Sequence, residues 1–139
     1  MATMARSLPR TDPARQAYRV LQIAFTIVPI VAGIDQFLNK LADWSMYLAP
    51  VATRIVPLSA ANIMRISGVL EIVAGLLVAF KPRIGAWVVA VWLWLIMINL
   101  LAAAAFYDNV LRDFGLSLGA VALARMAVVY DYRAPDILR

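Results

Sequence analysis

Glu71 is the only charge in "ISGVLEIVAGLLVAF", residues 66–80, and Arg125 is the only charge in "LSLGAVALARMAVV", residues 116–129. A carboxylate and a guanidinium in such surroundings can pair, relay a proton or ion, or hold a polar ligand, and each use needs a bundle interior to face. Asp35, Arg65 and Asn99 form a second set of polar residues, toward the outer ends of the first, second and third apolar runs. The chain has no His and no Cys. Disulfides, thiol redox chemistry and the commonest transition-metal and haem ligands are therefore absent. No Gly-rich phosphate loop, Ser-His-Asp constellation or metal-ligand cluster occurs. No catalytic residue and no metal site is expected, and any redox role is borrowed from a partner.

These residues are positioned by four apolar runs: Val20–Phe37, Ser59–Phe80, Ile84–Phe106 and Phe114–Tyr130. About 20 helical residues cross a hydrocarbon layer about 30 Å thick. The second and third runs meet that length. The fourth is a little short and contains Arg125, and the first contains Pro29, which predicts a bend. Period-2 alternation is missing, and four strands could not close a membrane barrel. The fold expected is all-α: an integral membrane four-helix bundle with a short interfacial helix between helices 1 and 2, around Asp43–Leu48, where Trp44 and Tyr47 suit the headgroup level. The domain plan is a tail at 1–18, a four-span domain at 19–130 and a second tail at 131–139. Thr11 or Asp12 is placed to cap a helix that has Pro13 at its first position. A signal peptide is the other reading of this end; no A-x-A-like site follows the apolar core, so a retained helix is expected. Lys81–Arg83 is a tight turn, and Tyr107–Asp113 is read as a short third connection.

Composition agrees. Hydrophobic residues make up 64% and charged residues 15%, far from the balance of a water-soluble domain. The net charge of +5 does not indicate nucleic acid, because the basic residues sit at the ends of apolar runs and form no stripe interleaved with aromatics. Eight lie in the two tails and the Lys81–Arg83 turn, against Lys40, Arg54 and Arg112 on the other side. The positive-inside rule places both termini in the cytoplasm of a multi-pass inner-membrane protein.

That topology sets depths. Glu71 lies twelve residues below Ser59 and Arg125 twelve below Asp113, each about 18 Å into its span. Two opposite charges at one depth predict a Glu71–Arg125 pair inside the bundle, with snorkelling of Arg125 to the inner surface as the alternative. Nearer the outer face, Asp35, Arg65 and Asn99 form the outer polar group, in which an Asp35–Arg65 contact competes with Asp35 as an interface residue and an outward-snorkelling Arg65. Gly33, Gly68, Gly75, Gly115 and Gly119 are helix-packing candidates, since small residues let membrane helices approach closely. Trp87, Trp92 and Trp94 read as an aromatic belt or lipid contact, with a stacked quinone or other flat ligand as the alternative.

"VAGIDQFLNKLADWSMYLAP", "GVLEIVAGLLVAFKPRIGAW" and "RDFGLSLGAVALARM" resemble the DoxX-like family of small four-helix bacterial membrane proteins. The resemblance runs from about Tyr18 to Met126. It rests on the G-x-D closing helix one, the E-x-x-x-G of helix two followed by a basic turn, and the R-D-x-G-L-x-x-G-A opening of helix four. The resemblance implies a four-helix bundle with a partner, in the setting of membrane redox or stress-defence complexes, and carries over no catalytic residue. The expectation is an accessory subunit without activity or cofactor of its own, in contact with lipid and with other membrane subunits or further copies of itself. The alternatives are a quinone- or thiosulfate-linked oxidoreductase subunit, with a pocket near Asp35, Arg65 and Asn99, and a small transporter or proton relay using Glu71.

Overall fold

The computed structural model describes residues 12–131. Most of the two expected tails, 1–11 and 132–139, lies outside the described residues. Helix α1 spans Pro13–Leu38, beginning within the expected tail. Asp12 caps it by accepting from the Ala14 N–H at 3.4 Å, and Pro13 occupies the first turn, where its missing donor costs nothing. The helix continues through Pro29 and stops at Asn39, which takes the left-handed conformation (φ 52°) and returns its N–H to the Asp35 carbonyl. A 3-10 turn, Trp44–Tyr47, and the short helix α2, Pro50–Ile55, make the outer connection. The short helix expected around Asp43–Leu48 is the 3-10 turn, and the second piece, begun by Pro50 at its first position, is additional to that expectation.

Helix α3 spans Ala60–Phe80, capped by Ser59 accepting from the Asn62 N–H at 3.2 Å. Lys81 alone separates it from α4, Pro82–Ala103. Helix α5 spans Tyr107–Tyr130. The third connection is therefore only 104–106, reversed by left-handed Ala104 and Phe106 (φ 53° and 61°), and the expected loop Tyr107–Asp113 is helical. Its polar residues are the first turns of α5 rather than a break before it, so Asp113 lies inside the span and Arg125 stands eighteen residues from the start of α5 and five from its end, away from mid-depth.

Helices α1, α3, α4 and α5, of 26, 21, 22 and 24 residues, are long and apolar enough to cross a membrane. At 1.5 Å per residue they measure about 31–39 Å. No strand occurs among the described residues. The protein is an all-α, multi-pass membrane bundle whose four long helices run alternately up and down. Large apolar side chains such as Ile23, Leu95, Ile98 and Val129 point outward, as a lipid solvent allows.

In lipid the apolar effect gives little drive between helices, so close contact must hold them. The interior is accordingly lined with small residues: Ala74, Ala86, Ala90, Ala120, Ala124 and Ala127 pack around Val78 and Leu123. Helix α1 packs chiefly on α3, and α4 on α5. At the first crossing Gly33 and Gly68 meet backbone to backbone. A Cβ built on Gly68 would stand 2.6 Å from the Gly33 carbonyl oxygen, and one on Gly75 would stand 2.7 Å from the Thr26 carbonyl oxygen. Gly85 presses as closely on the α3 backbone at Leu77 and Val78. Gln22 closes the inner end of the α1–α3 pair by donating to the Val78 and Ala79 carbonyls, both at 3.3 Å, which lack helical partners in the last turn. The ring of helices is joined at the same end, where Tyr18 stacks on Tyr130 at 5.7 Å and the Tyr130 hydroxyl donates to Asp12 Oδ2 at 3.0 Å.

Candidate functional site

Glu71 lies eleven residues into α3 and nine from its end, about 16 and 14 Å from the two termini, and so near mid-depth. The Gly68–Glu71–Gly75 face packs toward α1 because three- and four-residue steps keep these positions together. Glu71 is 9% exposed. The Nε1–H of Trp92 on α4 donates to Glu71 Oε1 at 3.0 Å. Gln36 of α1, 5% exposed, reaches toward the same carboxylate, and Asp113 of α5, 6% exposed, lies within electrostatic range of it. Each of the four spanning helices thus contributes one residue to a polar cluster. Glu71 Oε2 and Gln36 Oε1 are both buried without a hydrogen-bond partner. A buried acceptor left unmatched costs about 1–3 kcal/mol, and a proton shared between the two side chains would match both.

The expected Glu71–Arg125 pair is not formed. Arg125 is exposed on the outside of α5. An ion pair instead joins Arg112 Nε to Asp113 Oδ1 at 3.6 Å. Equal residue counts misled because α5 starts six residues before Asp113, and depth alone does not determine which face a residue takes.

The outer polar group does not converge either. Asp35 receives the Lys40 N–H at 3.1 Å, the Leu41 N–H at 2.9 Å and the Trp44 Nε1–H at 2.8 Å. It folds the chain over the end of α1. Arg65 is exposed and donates to Asn62 Oδ1 at 3.3 Å, within its own helix. Asn99 is occupied elsewhere: its Oδ1 accepts from the Ala49 N–H at 2.9 Å and its Nδ2 donates to the Tyr47 carbonyl at 2.8 Å. Asp35 and Asn99 therefore anchor the two halves of the outer connection, and the pocket expected among Asp35, Arg65 and Asn99 is not assembled.

The three tryptophans of α4 divide. Trp87 and Trp94 are exposed, as an aromatic belt requires, while Trp92 turns inward to Glu71. Gly33, Gly68 and Gly75 lie at tight contacts, and a Cβ on Gly119 would stand only 3.3 Å from the Phe25 ring. A Cβ on Gly115 would meet nothing within 4 Å, so this glycine packs no helix of its own bundle. Sequence reasoning missed Gln36, Trp92, Asp113 and Gly85. Gln36 packs over Gly68, its Cβ 3.2 Å from where a Cβ on that glycine would stand, so its long side chain reaches the next turn of α3, where Glu71 lies.

Among the described residues no group of three His, Cys, Asp or Glu side chains is placed to hold a metal ion. The chain matches no protein-family model, no curated protein and no solved structure.

Proposed function

We propose that this chain is a DoxX-like accessory subunit, not itself catalytic, of a bacterial membrane redox or energy-converting assembly. It sits in the cytoplasmic membrane with both termini on the cytoplasmic side. The observation that supports this reading is the outer face of α5. Leu118, Ala122, Arg125 and Val129 follow one another at three- and four-residue steps and are all exposed, and Gly115 lies open one step above them. Small residues on a bare face invite a second helix. A cation on that face is costly against acyl chains, and a carboxylate on a neighbouring subunit would neutralise it. The inward Glu71 cluster then serves to fix helix register, a role that buried polar groups fill in some proteins.

The test uses the absence of native cysteine. Ala122→Cys, cross-linked in native membranes before mild solubilisation, should trap a second membrane subunit or a second copy, and Arg125→Leu should abolish the product. A lone monomer from native membranes, with no cross-link at Ala122→Cys, would contradict the reading and leave Arg125 as a snorkelling residue.

A further inference from the structure

Between α3 and α4 lies an open groove of about 1020 Å³, separate from the α5 face. Val73, Trp87, Val91 and Trp92 line its length, and Lys81 and Arg83 stand at its inner end. Asp131 borders that end too and is engaged in an interaction of its own. Arg83 Nη1 is buried without a hydrogen-bond partner, an arrangement that an anionic oxygen would relieve.

The groove has the length of one leaflet. Its lining runs from Arg83 to Leu95 on α4 and from Phe80 to Leu70 on α3. These are twelve and ten residues, or about 18 and 15 Å, against about 15 Å for half the hydrocarbon layer. It ends at Leu70 and Leu95, one turn beyond Trp92 and near the level of Glu71. Headgroup-level cations, an amphipathic ring at Trp87 and an apolar channel reaching mid-depth suit a phospholipid standing in its ordinary orientation. Basic pockets between spanning helices on the cytoplasmic side are known to take anionic headgroups.

We infer that this groove is a binding site for one anionic phospholipid, with its phosphate on Lys81 and Arg83 and one acyl chain along Trp87 and Val91 to Trp92. The inference rests on the membrane placement of the bundle and not on the accessory-subunit reading, so either can fail alone. Occupancy would add a second tie between α3 and α4 beside the close Gly85 contact at Leu77 and Val78.

The experiment is native mass spectrometry of the full chain in mild detergent, with dioleoyl phosphatidylglycerol and dioleoyl phosphatidylcholine offered in equal amounts. The expected result is one retained lipid, with phosphatidylglycerol favoured about tenfold. The preference should vanish in Lys81→Gln/Arg83→Gln, both at the surface end of the helices, and persist in Arg65→Gln at the opposite end. Val91→Trp, which fills the channel with both cations intact, should release both lipids, its unchanged helical circular dichroism showing that the bundle is still folded. Equal retention of the two lipids by the native chain would overturn the inference. So would a preference surviving in Lys81→Gln/Arg83→Gln, or displacement of phosphatidylglycerol by a polyprenyl benzoquinone at equal concentration.

Discussion

Replacing Trp92 by Phe keeps a ring on α4 and removes the indole N–H that reaches Glu71, 3.0 Å from Oε1. Oε2 is already without a partner, so the carboxylate would lose its indole donor and keep only the neighbouring Gln36 side chain. A hydrogen bond to a charged group contributes about 1.5–3 kcal/mol. Interhelical bonds measured within membrane bundles average about 0.6 and reach about 1.7 kcal/mol, because the reference state in lipid also finds partners. The burial of Glu71 places this bond toward the upper end, and a coupling of about 1–2 kcal/mol follows. The assay is a double-mutant cycle of Trp92→Phe and Glu71→Leu, read by reversible unfolding in mixed micelles. The change in ring size cancels between the two backgrounds, leaving the bond. A coupling below about 0.5 kcal/mol, the limit at which distant sites add, would refute the reasoning.

Three further outcomes are expected. Gly68→Leu should cost at least the 1–3 kcal/mol typical of overpacking, since even a Cβ there meets the Gly33 carbonyl oxygen at 2.6 Å, whereas Gly115→Leu should leave the detergent melting point of the isolated chain nearly unchanged. Arg125→Leu and Glu71→Gln should be additive within about 0.5 kcal/mol, because the two side chains do not meet, and a clear coupling in micelle unfolding would show that they do. Asn99→Leu strands the buried Ala49 N–H and the Tyr47 carbonyl, costing about 1–3 kcal/mol; limited proteolysis should speed up within residues 40–58 and not at the Lys81 turn.

Much of the architecture is legible in the apolar runs, because a lipid solvent permits few alternatives to long helices. The Asp12–Pro13 start and the Lys81 turn are also local signals, set by residues adjacent in sequence. The error at the start of α5 has a physical cause. "YDNVLRD" is polar enough to read as a loop, but a helix can extend past the hydrocarbon boundary, where polar side chains meet headgroups and water. That error moved Asp113 out of the interior and Arg125 to the wrong level.

The partners of Glu71 were harder to read for a different reason. Opposite charge is visible in a sequence, whereas the direction of an indole N–H is not. Trp92 has the same composition signal as Trp87 and Trp94, and only the rotation of α4 against α3 separates the one that turns inward from the two that face out. Asp35 and Asn99 show the same limit. Each looks like a residue awaiting a charged partner, and each is satisfied by backbone groups of the outer connection, whose path no periodicity encodes.

The central claim is that Glu71 is held inside the bundle by the Trp92 indole. The most direct measurement is the nitrogen-15 and proton shift of the four indole N–H groups in micelles, assigned by single Trp→Phe variants. The Trp92 signal should exchange slowly with water, move in Glu71→Leu and stay in place in Arg125→Leu. A Trp92 signal indifferent to Glu71→Leu, or one displaced by Arg125→Leu instead, would contradict the account.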